Sequence, residues 1–215
     1  MVINKRDLIK LLQNTESFTH PKVELEQYCI DPTSAVDIAY FAGFEFNDIN
    51  NHILFDLGAG TGRISIASAF FRPKIVISID IDPSALCILK KNINNLEINS
   101  LIHPLCTDIS FIDFSQREFL KQSKVTTIMN PPFGVQKPKA DRSFLDFAFQ
   151  ISEIIYSIHI TNKKVHRFIL SYASKFNWKI DYALPYNMIL EKSFFFHTKK
   201  RKQIDVTIYR FIKNK

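Results

Sequence analysis

"HILFDLGAGTGRISIASAFFRPKIVISIDID" occupies residues 52–82. Two apolar runs, 52–58 and 74–82, flank a segment of helical spacing at 61–71. Strands that are continuously apolar, rather than alternating, belong to a parallel sheet covered on both faces. The first run ends in glycines 58, 60 and 62, which permit a tight turn and close approach of a ligand to the backbone. The alternation continues outward. "PSALCILKKNINNL" (83–96) opens with a proline suited to a helix start, "LIHPLCTD" (101–108) is a weaker strand, and "VTTIMN" (125–130) is a strong one. "RSFLDFAFQISEIIYSIH" (142–159) reads as a helix and "VHRFIL" (165–170) as a further strand, while 4–14 and 32–42 read as two helices ahead of the first strand. Such a chain predicts an α/β fold with helices on both faces of the sheet.

The carboxyl-terminal part departs from this pattern. "KIDYALPYNMIL" and "KQIDVTIYRFIK" are strand-like and joined by the basic "EKSFFFHTKKR", with nothing helical between them. An antiparallel hairpin closing a parallel sheet marks the class I methyltransferase architecture: a Rossmann-like, seven-stranded, mostly parallel sheet. We expect a single domain over 1–215, with a helical cap at 1–45 and the core at 46–215. A chain of 215 residues and 25.0 kDa suits one well-filled core. The net charge of +7 and pI near 9.2 suit an anionic partner such as nucleic acid. Cys29, Cys87 and Cys106 have an odd count and no metal-ligand spacing, which argues against a disulfide framework or a cysteine-based zinc site and for a reducing compartment. No signal peptide is evident, and no apolar stretch approaches the ~20 residues that span a bilayer. The expected location is cytoplasmic, and no metal is expected.

The glycine spacing, G-x-G-x-G, departs from the G-x-G-x-x-G of dinucleotide sites. At the end of the next strand Asp80 is placed to accept from both ribose hydroxyls of a nucleoside, whereas Asp82 in "SIDIDPSA" suits the cap of the helix beginning at Pro83. In "CTDIS", Asp108 can accept from an adenine amine, with the Ile109 backbone near the ring. Three such features, each at a strand's carboxyl end, describe a nucleoside cofactor, and S-adenosylmethionine fits better than NAD.

"TTIMNPPFGVQ" (126–136) stops an apolar run at an asparagine followed by two prolines that lack backbone donors. Exocyclic amines on purines and glutamine amides are poor nucleophiles because their lone pairs delocalise into a π-system. Two acceptors aimed at the amine N–H groups favour tetrahedral nitrogen and stabilise the developing charge. The Asn130 side-chain oxygen and the Pro131 carbonyl form such a pair, Pro132 helps to hold the backbone, and Phe133 offers a stacking face. No strong general base is needed, since the proton is acidic after transfer. The target base must be unpaired or flipped to reach this site. Lys137 and Lys139, in a loop that can close over the substrate, and Lys199, Lys200, Arg201 and Lys202 are placed to contact phosphates without reading sequence.

"LEQY" (25–28), "DLGAGTG", "DIDPSAL", "MNPPFG", "YSIH" and "FHTKKRKQIDVTIYRF" together resemble the methyltransferase-like protein 5 family, from about Leu25 to Phe211. The resemblance implies an S-adenosylmethionine-dependent adenine-N6 methyltransferase of small-subunit ribosomal RNA. It assigns Gln27, and the residue two after Tyr28, to the cofactor's methionine part. The family's threonine is Ile30 here, with Thr33 or a backbone group as substitute. Gly58, Thr61, Asp80, Asp108 and Ile109 match its cofactor positions, with Gly60 in the same loop, and Asn130 to Phe133 match its catalytic block. It also implies a small zinc-containing activator of the Trm112 type along the edge of the third strand, near Leu101, Ile102, Leu105, Phe111, Ile112 and Phe114. The Asn-Pro-Pro-Phe block alone also suits a guanine-N2 RNA methyltransferase or a protein-glutamine methyltransferase. A non-catalytic RNA-binding subunit is the alternative outside enzymes.

Overall fold

The computed structural model describes residues 3–113, 122–191 and 201–214. In chain order it runs α1 (Lys5–Gln13), α2 (Pro32–Tyr40), β1 (Ile53–Leu57), α3 (Arg63–Ala69), β2 (Ile75–Asp80), α4 (Pro83–Asn95), β3 (Ile102–Cys106) and β4 (Val125–Met129). It continues α5 (Ala140–Ile151), β5 (Ile154–Ile160), α6 (Lys163–Lys175), β6 (Trp178–Glu191) and β7 (Arg201–Lys213). The seven strands form one sheet in the order β3-β2-β1-β4-β5-β7-β6. β1 to β5 are mutually parallel, and β7 runs antiparallel to both β5 and β6. Among the described residues no helix is long and apolar enough to cross a membrane.

Side-chain alternation sorts the strands between two cores. Leu54, Ile128 and Tyr156 face α1 to α4, in a cluster with Leu8, Leu12, Val36, Ile66 and Leu89. Phe55, Met129 and Ile155 face the other way, against Leu145, Phe149, Trp178 and Phe211. Every residue of β4 is buried, as expected of a central strand covered on both sides. Each fully buried Leu or Ile contributes about 2 kcal/mol of transfer free energy. Two helices start with the same device: Asp31 accepts from Thr33 N and Ser34 N ahead of Pro32, and Asp82 accepts from Ser84 N ahead of Pro83.

Two expectations fail in one region. The apolar run read as a helix over 142–159 divides, because α5 ends at Ile151 and Ile154–Ile160 is β5. Ser152 closes the helix, and Glu153 N already donates to Val125 O, so the β-branched "IIYSIHI" enters the sheet between β4 and β7. Residues 165–170, read as a strand, lie within α6. Val165, Phe168, Ile169, Tyr172 and Ala173 form one helical stripe on the second core, while Leu170 points away at 53% exposure. The expected number of strands is correct, and the fifth lies one element earlier than expected.

A bulge at Asp181 in β6 turns that carboxylate to Arg210 of β7. Arg210 Nε also donates to Asp48 Oδ2 at 2.8 Å, and the Tyr156 hydroxyl donates to the same oxygen at 2.5 Å. This buried network joins the loop before β1 to β5, β6 and β7.

The β6–β7 hairpin is longer than the strand it packs against. β5 ends at Ile160, opposite Val206, yet β6 and β7 remain paired from Asn187–Asp205 to Glu191–Arg201. That extension projects past the carboxyl rim of the parallel strands. Ile30 bridges Leu190 beside it, Asp31 N donates to Ile189 O at 3.1 Å, and Arg63 Nη1 donates to Ile30 O at 2.8 Å.

Candidate active site

The chain turns to β2 and β3 on one side of β1 and to β4 and β5 on the other, so a crevice opens where the strand order reverses. Leu57 pairs with Met129, which brings the glycine loop and Asn130 to the same rim. A cavity of about 440 Å³ lies there. Gly58, Gly60, Thr61, Asp80, Asp108, Ile109, Asn130 and Pro132 all line it. Gly60 has φ +55°, and an added Cβ would stand 3.0 Å from the Phe18 ring, so a side chain there would press on the wall.

Asp80 closes the loop onto β2. Its Oδ2 accepts from Gly60 N and its Oδ1 from Asp82 N, each at 2.8 Å. Burial lifts its carboxyl above the usual range, against those two backbone donors. Burial likewise lifts Asp56, beneath the loop, to about 7, although the Ser65 hydroxyl donates to it at 2.5 Å. Asp82 differs. Burial pushes it up, but donors from Gln27, Lys22 and Ser84 outweigh that and hold it low. Its cap on α4 is as expected, and the salt bridge to Lys22 at 2.8 Å adds a tie the sequence did not reveal.

Asn130 ends β4 with its Oδ1 shut from solvent and without a hydrogen-bond partner. The Tyr28 hydroxyl, also on this wall, is in the same condition. The unpaired Asn130 acceptor, beside a nucleoside-sized cavity, calls for a ligand that completes it. The remaining wall suits S-adenosylmethionine: a glycine loop that admits close approach, a carboxylate at the end of β2, Asp108 and Ile109 after β3, and acidic groups favourable to a cation.

Residues 45–170 match the TRM5/TYW2 methyltransferase domain. The chain is 32% identical to the rRNA N(6)-adenosine-methyltransferase METTL5 of Danio rerio, over 96% of this chain and 97% of that protein. The chain belongs to the methyltransferase-like protein 5 family. An uncharacterised protein of Methanocaldococcus jannaschii is 37% identical, over 99% of this chain and 95% of its own length. A crystallised candidate RNA methyltransferase of Pyrococcus horikoshii superposes with a TM-score of 0.86 at 35% identity, covering 100% of both chains.

The remaining positions implied by that family fall as follows. Gln27 lies on the cavity wall, but both ends of its amide are engaged: Nε2 donates to Asp82 Oδ2 and Oε1 accepts from Lys22 N, each at 2.8 Å. Ile30 also lines the cavity, buried, with its carbonyl held by Arg63. Thr33 does not replace the missing hydroxyl, since it stands exposed at the start of α2 with its backbone N–H on Asp31. Thr61 supplies a hydroxyl to this wall, 3.5 Å from Cys29 Sγ. Asp108 accepts from Ser110 N and Ser110 Oγ through the same Oδ1. Phe133 is stacked on Tyr28, with centroids 5.4 Å apart and 24° between planes. Pro131 is buried, and Lys137 and Lys139 are exposed at the cavity mouth. Lys199 and Lys200 lie outside the described residues, and Arg201 and Lys202 open β7. Sequence reasoning missed Phe18, Phe144 and the Lys22–Asp82–Gln27 clasp, because these contacts join segments far apart in the chain.

Proposed function

We propose that this family member transfers a methyl group to the exocyclic N6 amine of an adenosine in small-subunit ribosomal RNA. The observation that carries this reading is Asn130 Oδ1, a buried acceptor without a partner at the carboxyl end of β4. The name of the Danio rerio relative supports adenosine as the target. Asp80 would hold the cofactor ribose, Asp108 and Ile109 the adenine edge, and the glycine loop the chain between them. When bound, S-adenosylmethionine supplies an electrophilic methyl group on a sulfonium. Asn130 Oδ1 and the Pro131 carbonyl would accept the two amine N–H groups, drawing the nitrogen toward tetrahedral geometry and offsetting its growing positive charge. The methylated nitrogen is acidic enough to release its proton to water. One face of Phe133 rests on Tyr28, and the opposite face is assigned to the target base.

Basic groups at the same rim support an RNA substrate. Lys137 and Lys139 flank the mouth, and in the sequence Lys199 and Lys200 fall between β6 and β7, whose paired ends project past this rim. Exposed Lys163, Lys164 and Arg167 stand on α6, whose amino end follows β5 at that rim and which carries no acidic residue. β3 is a sheet edge followed by Phe111 at 85% exposure, with Leu105 at 44%. That apolar edge supports an activator of the Trm112 type, although Ile102 is itself buried and Phe114 lies outside the described residues. The cytoplasm is the compartment we assign.

The test uses labelled S-adenosylmethionine and unmethylated small-subunit ribosomal RNA, with and without a Trm112-type partner, followed by digestion to nucleosides. Label in N6-methyladenosine is the expected result. Label in N2-methylguanosine, or none despite cofactor binding, overturns the substrate. Asn130→Ala should cut turnover by ~10²-fold, the scale for one transition-state hydrogen-bonding group, with cofactor affinity unchanged.

A further inference from the structure

The Tyr28 hydroxyl has no role in the reaction as described so far. It is buried and meets the strict geometry of a hydrogen bond with no partner, but the Asn130 amide, whose own oxygen is unpaired, approaches it as a donor. The Asn130 amide stands next to the phenol oxygen, and the Tyr28 ring backs Phe133. One residue pair further out, Gln136 N donates to Glu26 Oε1 at 2.8 Å. The segment 26–28 therefore grips the loop 130–136 at two points, the Tyr28–Phe133 stack and the Glu26–Gln136 hydrogen bond, and sets the phenol beside Asn130 between β4 and that grip.

The electrostatics keep the phenol neutral. Burial raises its pKa well above the ordinary value and the Glu26 charge adds to this, so the group stays neutral and keeps its proton. A neutral phenol keeps its oxygen lone pairs as well as its proton, so it can accept from the Asn130 side. That matters because an asparagine amide can rotate by half a turn with almost no change of shape. In one orientation it offers the substrate amine an acceptor. In the other it offers a second donor, and the site is catalytically dead.

We infer that Tyr28 is a positioning residue for Asn130, its hydroxyl oxygen receiving the Asn130 Nδ2–H so that Oδ1 is presented to the substrate amine. The inference rests on the reading of Asn130 as the amine acceptor. Tyr28→Phe removes only the hydroxyl and keeps the stack on Phe133. We expect kcat to fall about tenfold, equivalent to ~1.4 kcal/mol, with the Kd for S-adenosylmethionine and the KM for RNA within about twofold of wild type. In an Asn130→Ala background the same change should alter kcat less than about twofold, because Tyr28 acts through the amide that is gone. Effects that multiply, or a Tyr28→Phe enzyme with wild-type kcat, overturn the inference.

A second readout needs no turnover. In ¹⁵N-labelled protein the Asn130 side-chain NH₂ pair is identified by its loss in Asn130→Ala. One of its protons should exchange slowly in wild type and about tenfold or more faster in Tyr28→Phe, reflecting loss of one hydrogen bond. Equal exchange in both proteins refutes the positioning role whatever the substrate. An inactive wild type refutes only the assignment of ribosomal RNA.

Discussion

Gly62→Ala should cripple stability while leaving the cofactor site almost untouched. Gly62 caps α3 at φ +88°, a left-handed conformation that costs a residue with a Cβ about 1–2 kcal/mol. The larger obstacle is Leu89 on α4. A Cβ on residue 62 would fall 2.0 Å from Leu89 Cδ1 and 3.1 Å from its Cγ, whereas carbon atoms pack at about 3.5–4.0 Å. Leu89 is fully buried in the core beside β1 and β2, so it cannot swing into solvent. Overpacking of this kind costs about 1–3 kcal/mol, which brings the sum to roughly 2–5 kcal/mol. For a chain of this size each kcal/mol moves the midpoint by about 2–4 °C, so thermal unfolding should shift down on the order of 10 °C. Gly62 does not line the cavity, so calorimetric affinity for S-adenosylmethionine, measured well below the transition, should stay within about threefold. Adding Leu89→Ala should make the double variant less destabilised than the sum of the single changes by about 1–3 kcal/mol. A Gly62→Ala protein that melts within 2 °C of wild type, by a ~2 °C criterion set by that scaling, refutes the clash. Strict additivity with Leu89→Ala refutes its partner.

Asp48→Asn should cost about 3–5 kcal/mol in denaturant unfolding, because it leaves Arg210 and the Tyr156 hydroxyl facing a neutral group in a buried network; a cost below ~1 kcal/mol, typical of an exposed pair, would contradict that. Two buried groups set opposing pH trends. Burial lowers His159 to about 3, so stability is lost as pH falls from about 6.5 toward 3, while the unfolded chain takes up a proton the folded one refuses. Asp56, raised to about 7, acts the other way: its contribution is intact below 3.8 and is lost as pH rises to about 7. Between pH 4 and 6.5 the two nearly cancel, at ~1.4 kcal/mol per unit each. His159→Gln should therefore make stability fall with rising pH, and Asp56→Asn should make it rise; two flat profiles would sink both assignments. Binding of cationic S-adenosylmethionine near pH 6.5 should release protons as Asp56 ionises, seen as buffer-dependent calorimetric enthalpy that vanishes in Asp56→Asn.

What the sequence disclosed followed from where its signals were local. The glycine loop, the aspartates at the ends of β2 and β3, and the Asn-Pro-Pro-Phe block each combine a strand end with a residue type that tolerates no regular structure. All of them reach one rim because parallel strands share a direction. The division of 142–159 was not legible, since "FLDFAFQISEIIYSIH" is apolar throughout and either period can be laid upon it. The decision lies in Glu153 N pairing with Val125 O, a contact between residues 28 apart in the chain. The same reason hides Tyr28. Its partners lie about a hundred residues away, and a tyrosine before a buried cysteine looks like any core aromatic. Gln27 shows the converse: a polar residue in the expected place, with its hydrogen bonds made to the protein's own Asp82 and Lys22.

The overhang of β6 and β7 past Ile160 gives the molecule a built-in gauge. The catalytic floor is fixed by β1 and β4, while the reach of the paired strands above it, out to Glu191–Arg201, depends on how many residue pairs follow Tyr186–Val206. Each strand residue adds about 3.4 Å, so inserting or deleting two per strand would shift the Glu191–Arg201 end by about 7 Å and keep every side chain on its original face. A one-residue change would instead invert the inward and outward faces and break the Ile30–Leu190 tie. Reach can therefore change over generations in even steps without disturbing the chemistry below, and chains with the same floor can be fitted to targets recessed to different depths.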